Sequence, residues 1–508
     1  MGLAYQEGAS CRVGTGYQHV RGAFPHPEGH PDGGKRPQVL GAGRLRQRGD
    51  RPHAAQPQVR QGGSPHPDRA GDHWGCRVRE FLDLARQRGW AAEVYWVTRD
   101  RISVQFRLGQ PVAILEEVAD FCAVRVIREG RLGVACGTRP ATELVTAAGE
   151  AARHGGEAGF GFAPPGPPEE FTPPDRGLTS LAAGDLIPLG ERIVREISSA
   201  HPQAALTVGL GRTLETLRIA NTEGLEREAE LGRSQVLFGA PFPGAGSGLY
   251  KSAASPGVPD YPEGLVEEFC QWYGWGLEVA RPPEGRLPVL LAPEAAFLLT
   301  MPLAAGLSGE ALWQRTSPLL GKEGERVLAE ALTIWDDPLR PGDPYSRPFD
   351  DEGIPCRKRP LLEAGVLKGY LFDLRTAALT GRAPTGNGFK RALFGGGPWA
   401  SPVPWPGRLV VEPGSVPWRE LLDTLDRGLL LYGGMGFHSS NYLQGHFSVQ
   451  GLGFYVEQGK VVGRLSGTMV AGDIYRDLSG SLQLSAERRE DLGVAAPFIR
   501  VPALQVTG

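Results

Sequence analysis

The stretch Leu298–Trp313, LLTMPLAAGLSGEALW, decides how the C-terminal half of this chain is read. It follows LPVLLAP, Leu287–Pro293, an apolar run of the length of a buried strand. Apolar residues then recur at helical spacing until Gly306 and Gly309 turn the chain. A strand feeding a helix is a common seat for working residues. Yet from Leu298 to Ser308 no side chain ionises and none is a good metal ligand. The span Leu287–Leu307 is also the nearest approach to a membrane segment, but Pro288, Pro293, Glu294 and Pro302 interrupt it. A buried strand plus a helix accounts for it better, and no membrane partner is expected.

Working outward, 508 residues suffice for two or three domains with cores of their own. A hydrophobic share of 41% and a charged share of 22% are those of an ordinary globular protein. A formal charge of -3 gives no footing for nucleic acid, which needs clustered Lys and Arg. The 72 glycines and 44 prolines predict many turns and short strands. None of the six cysteines has CxxC spacing, so no zinc ribbon or redox pair is expected. The N-terminus has no apolar signal-peptide core, and a cytoplasmic location is expected.

Residues 1–75 stand apart. They hold six of the ten histidines, a single Lys, and neither Ile nor Asn. The composition fits a disordered tail, or a spurious extension from out-of-frame translation of GC-rich DNA; irregular His spacing argues against a metal-binding tail. Helical patterning begins with CRVREFLDLARQRG at Cys76. Strand-like runs follow (AAEVYWVTRD, RISVQFRLG, QPVAILEEVA, FCAVRVIREG, RLGVACG), then a helix, ATELVTAAGEAARHG. The expected fold class is α+β, an N-terminal α/β module with an antiparallel sheet linked to a larger β-rich C-terminal domain. The divisions are an N-terminal domain at 76–160, a Pro-rich linker at 161–180, a middle α/β segment at 181–285 and the β-rich domain at 286–508.

Two runs could carry chemistry. In SRPFDDEG, the carboxylates Asp350, Asp351 and Glu352 precede Gly353. They could bind a cation, or cap neighbouring backbone in an acidic turn. Adjacent residues on a strand point to opposite faces, which disfavours convergence on one ion. In GFHSSNYLQGHFSVQG, His438 and His446 lie eight residues apart with no third ligand evident nearby. Ser448, in the same GHFS run, joins His446 and the acidic turn as a candidate substrate-contacting or structural position. No GxSxG, HExxH or P-loop occurs.

Together SRPFDDEG, LLEAGVLKGYLFDLRTA, GHFS…GFYVEQGKVV, RIANTEG and the terminal PFIRVPALQVTG resemble the TldD/PmbA family of bacterial peptidases, over roughly Cys76–Gly508. The resemblance implies one of two subunit kinds. One, TldD, carries HExxxH on a helix; the other, PmbA or TldE, lacks it. The pair forms a metallopeptidase that cuts unfolded or modified peptides in a shielded cavity. On this resemblance Thr300 stands at the first His, Met301 at the Glu and Ala305 at the second His. A hydroxyl, a thioether and a methyl cannot hold zinc, and no base remains to activate water. The expectation is a PmbA/TldE-like subunit with no catalytic residue and no cofactor of its own, zinc residing in a TldD-like partner. Alternatives are a non-proteolytic peptide-binding or maturation protein, and an enzyme that uses Asp350, Asp351 and Glu352 with another metal.

Overall fold

The computed structural model describes residues 71–508, apart from 168, 393, 394 and 492. Residues 1–70, and with them nearly all of the atypical N-terminal segment, lie outside the described residues. Helix α1, Gly71–Gln87, buries Val78, Phe81, Leu82 and Ala85 on one face and ends before Gly89. Three antiparallel strands follow: β1 (Ala91–Arg107), β2 (Gln110–Arg128) and β3 (Arg131–Gly137). Helices α2 (Glu143–Ala152), α3 (Arg176–Ser180) and α4 (Ala183–Ala200) precede β4 (Thr207–Asn221), β5 (Glu226–Pro241), β6 (Gly248–Ser255) and α5 (Leu265–Trp275).

The strands form one sheet in the order β3-β2-β1-β4-β5-β6. The spans 76–160 and 181–285, separated by sequence, therefore share a sheet. β1 pairs with β4 from Glu93–Asn221 to Arg107–Thr207, and the Pro-rich segment connects parts of one unit. Runs read as separate strands also merge. The polar step Arg99-Asp100 stays inside β1 because Arg99 meets Glu215 at 2.6 Å and Asp100 meets Arg212 at 3.1 Å on β4. Cross-strand charge pairs of this kind support a sheet where apolar pairs are missing. On one face Ile102, Val104 and Phe106 pack with Leu186, Ile193 and Ile197 of α4. Gly190 of α4 permits that approach, since a Cβ there would lie 2.2 Å from the Phe106 ring.

The C-terminal region begins with β7 (Val279–Ala280), β8 (Gly285–Leu291), α6 (Phe297–Leu307) and α7 (Gly309–Trp313). Short strands follow: β9 (Ile334–Asp336), β10 (Arg359–Glu363) and β11 (Val366–Leu367). Between β10 and β11 the turn residues Ala364 and Gly365 have φ of 48° and 75°, as a two-residue hairpin requires. Next come α8 (Leu374–Thr380), β12 (Gly388–Phe389), β13 (Arg391–Ala392), β14 (Gly395–Gly396), β15 (Val403–Pro404), β16 (Leu409–Val411) and α9 (Trp418–Asp423). The chain closes with β17 (Arg427–Met435), β18 (His446–Glu457), β19 (Lys460–Leu465), β20 (Met469–Asp473), α10 (Ile474–Asp477), β21 (Gln483–Asp491) and β22 (Val494–Thr507). The main sheet runs β11-β10-β9-β16-β22-β8-β17-β18-β19-β7, so β8 lies at its centre.

Helix α5 packs between the two sheets. Its Trp272 is fully buried, with ring centroids 5.9 Å from Phe454 and 6.1 Å from Trp418. Lys251 of β6 lies 3.7 Å above that ring and pairs with Glu268 at 2.8 Å and Glu294 at 2.5 Å. Glu268 also takes Arg489 of β21 at 2.5 Å. A charged cluster this enclosed is tenable because each ion has an opposite partner. Among the described residues, no helix is long and apolar enough to cross a membrane.

Candidate functional site

Helix α6 leaves the central strand β8 through a short helical turn, Pro293–Ala295. Of its residues only Phe297 and Met301 are less than fully buried. Apolar side chains on every face suit a helix enclosed by the core. Thr300 is 1% exposed and Ala305 5% exposed. Its end is fixed by strand-like bonds: Gly309 N–H donates to Leu371 O at 2.7 Å and Leu371 N–H to Leu307 O at 2.9 Å. The Ser317 hydroxyl donates to Gly306 O at 2.5 Å.

Beside α6, Tyr475 of α10 wedges between Gly306 and Gly445. A Cβ on Gly306 would stand 2.4 Å from the Tyr475 hydroxyl, and one on Gly445 2.5 Å from its ring. That hydroxyl is buried without a hydrogen-bond partner. Burial, and then Asp473, push its pKa up. A zinc centre at this helix would need imidazole, thiolate or carboxylate donors at the positions of Thr300 and Ala305, and a base at Met301. Their hydroxyl, thioether and methyl do not fit it, so no chemical step is routed through a metal at this helix. Among the described residues no three His, Cys, Asp or Glu side chains are grouped to hold an ion elsewhere.

The acidic run is a buried turn whose carboxylates diverge. Asp350 accepts its own loop's backbone, from Glu352 N at 3.0 Å and Ile354 N at 2.9 Å, and reaches Gly388 N at 2.8 Å. Asp351 takes Arg347 at 2.7 Å, the Tyr95 hydroxyl at 3.1 Å and Lys390 N at 2.7 Å. Glu352 takes Arg125 at 2.8 Å and Leu374 N at 2.7 Å. Arg125 in turn binds Glu93 at 2.8 Å. The loop of the C-terminal region thus plugs into β1 and β2 of the N-terminal sheet. Gly353, φ +79°, completes the turn; a Cβ there would lie 2.3 Å from Leu225.

Leu225 directly follows RIANTEG, in the β4–β5 turn. Asn221 shapes that turn, its Oδ1 accepting from Glu223 N at 2.9 Å and Leu225 N at 3.2 Å. Its amide donates to Ala163 O at 2.8 Å in the Pro-rich connection. Two motifs more than a hundred positions apart therefore meet.

The electrostatics follow burial. Desolvation, with Glu352 next, raises the Asp350 pKa well above the usual carboxylate range. Asp351 is equally enclosed, yet Arg347 and the Lys390 N–H outweigh desolvation and hold its pKa below the usual range. Desolvation raises Glu93 to about 6 despite Arg125. Asp336, bonded to Asn387 at 2.6 Å, and Asp373, the N-cap of α8, also rise to about 6 through burial.

His446 and Ser448 lie elsewhere, exposed on β18. His446 Nδ1 is 3.6 Å from Asp473 Oδ2, and Ser448 N–H donates to Ser440 Oγ at 3.0 Å. His438 is exposed on a short turn before β18. Sequence reasoning missed Glu93, Tyr95, Arg125, Arg347 and Lys390 as partners of the turn. One signal was available: Arg125 interrupts the apolar run AVRVI, and a buried Arg in a strand demands a carboxylate.

Residues 284–508 match the family model described as PmbA/TldA metallopeptidase C-terminal domain. Over 422 residues the chain is 25% identical to the uncharacterized protein MJ0231 of Methanocaldococcus jannaschii, covering 80% of this chain and 94% of that one. It is 33% identical to metalloprotease MJ0996 of the same organism over 156 residues, covering 30% of this chain and 33% of that protein. The structure of TldE from Thermococcus kodakarensis superposes with a TM-score of 0.77 at 24% identity, covering 85% of this chain and 100% of that one; that likeness shows the fold. The matched C-terminal domain, on a mixed α+β body, is of metallopeptidase type. Its C-terminal region is similar to the PmbA/TldD family, and metalloprotease PmbA homologues of Buchnera aphidicola and Haemophilus influenzae match 44% of the chain at 22% and 25% identity.

Proposed function

We propose that this chain is the PmbA/TldE-like, non-catalytic subunit of a heteromeric metallopeptidase acting on unfolded or modified peptides in the cytoplasm. It builds part of the chamber, and a TldD-like partner brings the zinc, the catalytic Glu and the cutting step. The observation that carries this reading is α6. Its strand, its helix and its closing turn are kept and buried, while Thr300, Met301 and Ala305 offer no metal donor and no base. A separate metal enzyme built on the acidic turn is disfavoured, because Asp350, Asp351 and Glu352 are each bonded to protein donors.

The test is metal content and complementation. The isolated chain, stripped with chelator and remetallated, retains no stoichiometric zinc and cleaves no peptide. Mixed with a HExxxH homologue from the same organism, it restores cleavage. Thr300→Ala and Met301→Ala leave that turnover within a few fold. One tightly held zinc per isolated chain, lost with activity in either variant, overturns the assignment. Assembly without cleavage turns the reading to a peptide-binding or maturation protein.

A further inference from the structure

Strand β2 is covered on one side only. β1 pairs with it along its whole length, but β3 reaches just Cys122–Arg128. Among the described residues, no strand hydrogen-bonds to the other edge of Gln110–Phe121. This uncovered half carries exposed apolar side chains: Val112 at 54%, Ile114 at 55%, Leu115 at 46% and Val118 at 65%, with Leu108 at 76% in the preceding turn. In a strand Ile114 and Val118 share one face and Leu115 takes the other, while Val112 sits at a register shift in the pairing with β1. Ile114 lies opposite Val104, whose face is sealed by the α4 core, so the apolar face of the sheet continues beyond its cover. Sheet proteins blunt such edges with charges, Pro, bulges or a covering element. Here Pro111 and the register shift beside it mark the start of the strand, and no described strand covers the outer edge of Gln110–Phe121. The edge holds Glu116, Glu117 and Asp120 and no Lys or Arg. Asp120 is already bonded to Trp96 and Thr98, which leaves Glu116 and Glu117, both exposed, to face an incoming chain.

We propose that the free edge of β2, Gln110–Phe121, is the docking strand for the partner subunit, which adds to it an extended strand of apolar and basic residues. This rests on the heteromeric reading above and names the surface it uses. Strand addition would continue the six-stranded sheet in line with β3, supply the missing backbone partners and cover both faces. Lys or Arg on the incoming strand would answer Glu116 and Glu117, so assembly weakens as salt rises.

The experiment is sedimentation velocity of the full chain with its HExxxH partner. Ile114→Lys/Val118→Lys and, separately, Glu116→Lys/Glu117→Lys are compared with the parent, each checked for unchanged thermal unfolding. These positions are exposed, so the fold is kept. The expected result is a heteromer for the parent, at least tenfold weaker assembly for both double variants, and weaker assembly of the parent in high salt. Parent and variants assembling alike overturns the docking strand and leaves the subunit reading standing. A parent that does not assemble with the partner overturns both. A parent that pairs only with itself, through this edge, assigns the strand to a second copy and overturns the proposal.

Discussion

At the scale of single residues, Asp351 shows how a motif can be visible while its role is not. A carboxylate that only caps its own turn is worth about one hydrogen bond to a charged group, roughly 2 kcal/mol. The structure gives Asp351 an enclosed guanidinium, a phenol and a backbone N–H at once. Asp351→Asn leaves Arg347 buried without its counter-charge, and breaking a buried pair costs about 3–5 kcal/mol. Urea unfolding should show a midpoint lowered by that amount at constant slope. A loss under about 1 kcal/mol would mean that Arg347 finds another partner. Nothing near residue 351 could have revealed this. Its partner Tyr95, and Arg125 beside it, lie on strands read only by their alternation, and alternation says which face a residue takes, not what docks there.

At the scale of elements, the β4–β5 turn and the acidic turn form a joint. Gly353 leaves the space that Leu225 fills. Gly353→Ala adds both a strained φ and an overlap, at a cost of about 2 kcal/mol or more. Leu225→Ala alone costs about 2–5 kcal/mol as a buried large-to-small change. The double variant should be less destabilised than the sum of the two, because removing the leucine relieves the overlap. Strict additivity in this cycle would separate the two turns energetically. The elements themselves were largely legible: α6 from its apolar run and α1 from its helical spacing. Their pairing was not, since β1 meets β4 across the whole Pro-rich connection and no local pattern encodes so distant a neighbour.

At the scale of the whole molecule, the buried carboxyls set a pH dependence. Glu93, Asp336 and Asp373 titrate near 6 in the folded chain. Each holds its proton to higher pH folded than unfolded, so stability falls as pH rises from about 4 through 6, by roughly 2–3 kcal/mol per group. Glu268 works the other way. Its burial is outweighed by Arg489 and Lys251, which bring it down to about 2, so its contribution is lost only as pH falls from about 4.5 toward 2. Stability should therefore peak near pH 4, read from urea midpoints between pH 3 and 8; a peak above pH 7 would contradict the burial of these groups. The N-terminal segment offers a second test at this scale. Its composition predicts that a chain beginning at Gly71, the first residue of α1, melts within about a degree of the full chain. A drop of several degrees, equivalent to about 1 kcal/mol or more, would show that residues 1–70 pack on the rest.

Strand β8 at the centre of the large sheet has a temporal consequence. Leu291 of β8 pairs with Ile499 of β22, and the two meet only after the intervening chain has been made and gathered. Closing so large a loop is slow, and sheets assembled from distant strands fold on the slower end of the range. Until β22 arrives, β8 lacks one neighbour and the all-apolar α6 has no finished core around it. This apolar helix is thus the segment longest at risk of sticking to another nascent chain. Refolding yield should fall as protein concentration rises, and chaperone capture should centre on the stretch from Leu287 to Leu307.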